Sequence, residues 1–96
     1  MIRVLVCYPA GEGSTFDMEY YKTKHHELVM RSLKGVERFD IEQGLDGPYM
    51  AVGTLVFPDM ETLQGAMGNP EAAATAEDVK NYTNVTPVMQ VLQSVD

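Results

Sequence analysis

Cysteine and tryptophan are almost missing from this sequence, which has one cysteine, Cys7, and no tryptophan. A single cysteine excludes an intrachain disulfide, and with only His25 and His26 to add it leaves too few ligands for a zinc cage. Cys7 lies in an apolar segment, where we expect it to pack as a small core residue in a reducing compartment. The sequence therefore predicts no metal site and a cytoplasmic location.

Basic residues are also few, since 7 lysines and arginines face 14 acidic residues and the formal net charge is −7. Nucleic-acid binding requires a basic surface, so this balance argues against it and equally against an anionic membrane surface. No apolar run approaches the roughly 20 residues that span a bilayer. The chain also begins directly with a strand-like run instead of a signal peptide. We expect no nucleic-acid partner and no membrane partner.

A chain of 96 residues predicts a single domain over residues 1–96. A domain of this size buries only about 60–65% of the surface that its unfolded chain exposes, so its core is marginal. Disulfides and metals, which often stabilise small domains, are excluded above. Oligomerisation is the remaining common remedy, and the size therefore predicts a homodimer.

Runs of apolar and β-branched residues predict four strands. The segments 2–8 and 49–57 are almost wholly apolar, which is typical of central strands that are covered on both faces. The segment 36–43 contains several charged residues, which indicates an edge strand. The segment 85–95 contains Pro87 close to its start. Proline also favours an edge position, because it donates no hydrogen bond to a neighbouring strand.

Two helical regions separate these strands. The first is predicted to begin with Ser14 as its N-cap and Asp17 three residues later, and to end near Leu33. Its apolar face is predicted to comprise Met18, Tyr21, His25 and Leu28. The second begins with Asp59 as its N-cap and resumes after Pro70.

The resulting order β-α-β-β-α-β is that of a ferredoxin-like α+β fold. Two helices would cover one face of a four-stranded antiparallel sheet. The other face has no partner within the chain although its strands are rich in apolar residues. A second copy packed sheet to sheet would bury it.

The segment Tyr20–His25 resembles the Tyr-aromatic-x-x-Lys-His signature of the EthD family, in the dimeric α+β barrel superfamily. Further segments that look like this family, in the same order along the chain, are Pro48–Val52, Asn69–Glu71, Asp78 and Asn81–Thr83. The sequence departs from the pattern at Glu27, where the family often has proline. The resemblance implies a dimeric α+β barrel.

The family takes its name from a gene cluster for ethyl tert-butyl ether degradation, and its members are loosely classed with oxidoreductases. Related barrels include lactone isomerases, polyketide cyclases and cofactor-free monooxygenases, and some relatives bind haem. The resemblance therefore implies a small, mostly apolar organic ligand in a pocket of each subunit. It does not select one reaction. No glycine-rich phosphate loop follows a strand, so no nucleotide cofactor is predicted.

His25 is the sharpest candidate for catalysis, because imidazole takes and returns protons near neutral pH. Tyr21 lies one helical turn before it and is predicted to assist by hydrogen-bonding to His25 or to a ligand. The alternative for both residues is structural: a core histidine satisfied by a hydrogen bond, and a tyrosine packed between helix and sheet.

Other polar residues flank the predicted elements and are candidates for substrate binding: Tyr8, Tyr20, Tyr49, Tyr82 and Gln90. Gln90 stands between apolar residues of the last strand. A buried amide needs hydrogen-bond partners, so Gln90 either serves the dimer seam or orients a ligand.

Three functions are consistent with these residues. The first is a cofactor-independent isomerase, cyclase or oxidoreductase that acts on a hydrophobic carbonyl or lactone compound, with His25 as its acid/base group. The second is a non-catalytic small-molecule carrier or accessory protein. The third is a haem-binding dimer with His25 as the axial ligand.

Overall fold

A four-stranded antiparallel sheet organises the computed structural model, which describes residues 1–95. Its strands are β1 (Ile2–Pro9), β2 (Arg38–Gln43), β3 (Tyr49–Phe57) and β4 (Val88–Gln93), in the spatial order β2-β3-β1-β4. The predicted central strands, β1 and β3, are confirmed, as is the edge position of β2. Strand β4 begins after Pro87, later than predicted, because proline cannot donate to the ladder.

The helical segments between the strands complete the predicted ferredoxin-like α+β fold. They are α1 (Met18–Tyr20), a π-helical turn (Tyr21–His25), α2 (His26–Ser32), α3 (Met60–Gly68), α4 (Ala72–Glu77) and a 3₁₀ turn (Asp78–Asn81). Asp59 caps α3 as predicted, with its carboxylate 2.7 Å from the Thr62 amide nitrogen. No helix among residues 1–95 is long and apolar enough to cross a membrane.

The first helix begins later than the sequence predicts. Asp17 is its N-cap and accepts a hydrogen bond from the backbone amide of Tyr20 at 3.0 Å, so the prediction of Ser14 as the cap is wrong. The residues just before Asp17 are held away from the helix. Phe16 forms an isolated bridge with Thr83 in the loop after the 3₁₀ turn. This contact is long-range, and local capping patterns carry no information about it.

The buried face of the first helical region differs by one residue from the predicted face. Tyr21, His25 and Val29, spaced four residues apart, are all buried. Leu28, which the sequence predicts for this face, is only half-buried. His25 therefore faces the core as predicted. The buried residue one turn after it is Val29 and not the predicted Leu28.

The two faces of the sheet have different neighbours. On one face Val4, Leu55 and Tyr8 belong to the core cluster that also includes residues of the helices. Residues of β1 that alternate with these, such as Leu5 and Cys7, point to the opposite face together with their cross-strand neighbours. We refer to this second surface as the open face of the sheet.

Candidate functional site

His25 reaches the core from the end of the π-helical turn, where only 5% of the residue is exposed. Its Nδ1 atom lies 2.9 Å from Oδ2 of Asp78, the first residue of the 3₁₀ turn. An ionised carboxylate only accepts hydrogen bonds, so Nδ1–H of the imidazole is the donor. The neutral ring then carries its lone pair on Nε2.

Asp78 is held on both of its carboxylate oxygens. While Oδ2 accepts from His25, Oδ1 accepts from the Tyr20 hydroxyl at 2.7 Å and from the Asn81 side-chain amide at 2.9 Å. Burial raises the pKa of Asp78, but hydrogen bonds from Asn81, His25 and Tyr20 outweigh it and leave the pKa below its ordinary value. The carboxylate is therefore ionised at neutral pH and fixed in orientation.

Burial also sets the protonation state of His25. It lowers the pKa of the imidazole, and the hydrogen bond to Asp78 opposes this only in part. The ring is therefore neutral at neutral pH, which is the form that accepts a proton. An imidazolium formed there would already be paired with the Asp78 carboxylate.

Two tyrosine hydroxyls lie on the Nε2 side of His25. The Tyr82 hydroxyl is 3.4 Å from Nε2 and 2.6 Å from the Tyr8 hydroxyl. Burial raises the pKa of both phenols, so both remain protonated and able to donate hydrogen bonds. When Tyr82 donates to Tyr8, the Nε2 lone pair has no hydrogen attached to it and is available as a base.

Tyr21 was predicted to assist His25 by a hydrogen bond to the imidazole or to a ligand, but its hydroxyl points elsewhere. Its ring stacks on His25 at 5.4 Å between centroids, with 0% of the residue exposed. Its hydroxyl lies over Gly53 of β3 and has no hydrogen-bond partner within residues 1–95. The expected hydrogen bond between Tyr21 and His25 is not formed, because Tyr82 takes that place.

A cavity of about 740 Å³ lies between the helices and the sheet. Its inner wall includes His25 and apolar side chains of α2 and the sheet, such as Val29 and Leu55. The lining residues that are exposed to solvent, which mark its mouth, lie within 67–76 and 86–89. This volume is in the range of pockets that hold drug-sized molecules, about 300–1,000 Å³.

Of the residues predicted for substrate binding, the structure brings Tyr8, Tyr20 and Tyr82 into the cluster around His25 and Asp78. Tyr49 lies elsewhere, in a shallow hollow beside the loop after β2. Gln90 is exposed on the open face, with its amide 3.2 Å from the Val91 carbonyl oxygen. Gln90 therefore lies on the face of the sheet opposite to the cavity, the position that the dimer-seam alternative predicts.

Sequence reasoning missed the part that Asp78 and Asn81 play. Asp78 is 53 residues away from His25, so no local spacing connects the two. The only sequence signal was that both residues belong to segments resembling the EthD family. Their shared role appears only when the 3₁₀ turn packs beside the π-helical turn.

A haem iron at His25 would be held by Nε2, since Nδ1 is bonded to Asp78. The Tyr82 hydroxyl, 3.4 Å from Nε2, would have to turn aside for it. Within residues 1–95, no three histidine, cysteine or acidic side chains come together to hold a metal ion.

A ferredoxin-like sheet with helices packed on one face defines a small α+β barrel protein. The chain belongs to the EthD family, because the model of the EthD domain matches its residues 11–86. No curated protein matches it.

Solved structures agree with this assignment. An EthD-like protein from Ralstonia eutropha is 31% identical, with 96% of this chain and 89% of that chain covered and a TM-score of 0.87. An EthD family protein from Bacillus halodurans is 19% identical, with 99% of both chains covered and a TM-score of 0.77. SnoaB, a cofactor-independent oxygenase from Streptomyces nogalater, is 13% identical, with 99% and 93% covered and a TM-score of 0.68. The last two likenesses concern the fold alone.

Proposed function

We propose that this protein binds a small, mostly apolar organic compound in the cavity and removes a proton from it, with His25 as the general base and no cofactor. The observation that carries the proposal is a buried imidazole on the cavity wall whose Nδ1 is bonded to the carboxylate of Asp78. This arrangement orients the ring, stabilises the imidazolium that proton transfer creates, and leaves Nε2 to accept the proton.

The simplest reaction of this kind is the enolisation of a ketone. The C–H bond next to the carbonyl breaks, its proton moves to Nε2 of His25, and the electron pair moves onto the carbonyl oxygen. The Tyr82 hydroxyl, 3.4 Å from Nε2, and the Tyr8 hydroxyl bonded to it are the donors that we assign to the developing oxyanion. Isomerisation, cyclisation and oxygenation with O₂ can all start from such an anion, so we assign this shared first step to His25.

Hydrogen–deuterium exchange tests the proposal without knowledge of the natural substrate. β-Tetralone, an apolar enolisable ketone that is small enough for the cavity, is incubated with the protein in D₂O and its exchange is followed by NMR. We expect exchange about tenfold or more above the buffer rate, with the gain lost in His25→Gln and retained in Tyr49→Phe. The rate should be constant near neutral pH and fall on acidification, since the lowered pKa keeps His25 unprotonated until below about pH 6.5.

A ligand that shifts the NMR signals of cavity methyl groups but shows no exchange above buffer would contradict the base and favour the non-catalytic carrier. Exchange that persists in His25→Gln would assign the chemistry to another residue. Both outcomes are separable from unfolding, which the backbone spectrum of each variant reports.

We also propose that the open face is covered by a second copy of the chain. The protein would work in a reducing compartment, where the free thiol of Cys7 persists. This face carries Leu5 and Val52 on the central strands, together with Val88 of β4, which is 50% exposed. Charged side chains, such as Arg3 and Arg38, lie beside these apolar residues, so the interface would combine apolar and polar contacts. Self-association is a common way to stabilise a domain as small as this one. Gln90 would lie within this interface.

Light scattering at micromolar concentration should give the mass of a dimer. We expect Val88→Lys to shift the protein to monomer, because it places a charge within the proposed interface. Met89→Lys is the matched control: Met89 is the next residue of β4, is similarly exposed at 55%, and points to the helix side of the sheet. A wild-type monomer at this concentration, or equal dissociation by both variants, would overturn the dimer proposal.

A further inference from the structure

The lining of the cavity contains no lysine, arginine, aspartate or glutamate within residues 1–95. Its polar lining residues are Tyr8, Tyr21 and His25 on the inner wall and Asn69, Thr75 and Thr86 towards the mouth. None of these offers a permanent positive charge at neutral pH. An anionic group that left water for this cavity would therefore lose its hydration without gaining a counter-ion.

The neighbourhood of His25 makes the cavity still less suitable for an anion. The ring's N–H at Nδ1 is committed to Asp78, so the atom left for a ligand, Nε2, presents a lone pair. The ionised Asp78 carboxylate lies directly behind the ring, and the chain as a whole carries a net charge of −7. All three features repel negative charge.

We propose that the site admits its substrate only as an uncharged weak acid, such as a phenol, an enol or an enolisable ketone, and excludes carboxylates. The negative charge is created after binding: the O–H or C–H bond breaks, the proton goes to Nε2, and the electron pair stays on the substrate. The products of this step are an anion and an imidazolium, so the cavity contents remain neutral overall. The inference rests on the proposed function and names the substrate class of the same cavity.

Three naphthalene probes of similar size test this selection at about pH 7.5. β-Naphthol and methyl β-naphthoate are uncharged there, whereas β-naphthoate is an anion. Binding is titrated by NMR through the methyl signals of Val29, Val79 and Leu55, which line the cavity. We expect both uncharged probes to bind and β-naphthoate to bind about 30-fold or more weakly than its methyl ester.

A charge placed at the mouth provides the complementary test. Ala73 of α4 lines the cavity and is exposed, so it should accommodate a long side chain. We expect Ala73→Arg to strengthen β-naphthoate binding about fivefold or more, whereas Ala73→Leu, the matched uncharged control, should not. The methyl ester should gain from neither substitution beyond its added apolar contact.

The outcomes separate this inference from the function on which it rests. If β-naphthoate binds the wild type as well as its ester, or if arginine improves both probes equally, charge exclusion is wrong while cavity binding stands. If no probe shifts the cavity methyl signals, the proposed binding in the cavity is wrong, and the inferred substrate class is wrong as well. The deuterium exchange measured on β-tetralone reports the base chemistry independently of either result.

Discussion

Replacement of Asp78 by asparagine is expected to remove most of the gain in deuterium exchange over the buffer rate, about nine-tenths or more, while the chain stays folded. The carboxylate accepts the Nδ1–H of His25, whereas an asparagine amide turned towards the ring can donate to Nδ1. The ring would then carry its hydrogen on Nε2, where the substrate proton has to be received. The same change removes the negative charge that stabilises the imidazolium.

Two measurements distinguish this effect from a general loss of structure. The ¹⁵N chemical shifts of the imidazole should show the Nδ1–H form in the wild type and the Nε2–H form in Asp78→Asn. Chemical denaturation should show a modest change in stability, since the asparagine oxygen still accepts from Tyr20 and Asn81. Asp40→Asn, which alters an exposed ion pair with Arg38 on β2, is the matched control and should leave exchange unchanged. Wild-type exchange in Asp78→Asn would contradict the proposed role of the carboxylate.

The general fold could be predicted from the sequence because its main signals are local. Strand β3 was predicted with the bounds that the structure shows, since nine consecutive uncharged residues between turn signals allow little else. The edge strand β2 was recognised by charges that its exposed side tolerates. The cap at Asp59 was found because the N-cap and the first turn are adjacent in sequence.

Long-range contacts set the limit of that prediction. The start of α1 was misplaced because Phe16 pairs with Thr83. Leu28 was assigned to the buried face in place of Val29 because spacings of three and four residues both fit one face of a helix. His25 itself was found from its residue type, its inward face and the family resemblance. Its partner Asp78 was not, because the two residues meet only when distant segments pack together.

The site also explains why Tyr21 and Tyr82 exchange the roles that sequence reasoning would give them. Tyr21 is one turn from His25, and residues at that spacing on a helix stack above one another instead of meeting at their tips. Tyr82 approaches from a separate loop and can therefore direct its hydroxyl at Nε2. Proximity in sequence brought the rings of Tyr21 and His25 together, but the hydroxyl that faces Nε2 comes from Tyr82, which is distant in sequence.

Substitution of Gly53 by alanine is expected to destabilise the protein by about 3 kcal/mol, the cost of overpacking a rigid core. A methyl group at this position of β3 would overlap the Tyr21 hydroxyl and the Phe39 ring, neither of which has room to withdraw. Alanine in a strand would otherwise be favoured over glycine by about 0.5–1 kcal/mol, so a large loss would identify the steric conflict. The matched control is Gly65→Ala in α3, where the added methyl meets no atom beyond its own stretch of helix within 4 Å and should stabilise the helix.

Tyr21→Phe reports how much of that conflict belongs to the hydroxyl. Alone, it should leave the free energy of unfolding unchanged or raise it by about 1 kcal/mol, because it removes a buried polar group without a partner. In this background Gly53→Ala should cost less than half of its effect in the wild type, with Phe39 responsible for the remainder. Urea denaturation of the wild type, the two single variants and the double variant measures the effect of Tyr21→Phe alone and the cost of Gly53→Ala in each background. If the cost of Gly53→Ala is the same with and without the hydroxyl, Tyr21 does not press on β3. If Tyr21→Phe is strongly destabilising by itself, its hydroxyl has a partner in solution, and the cavity side of the ring would be the place to look for it.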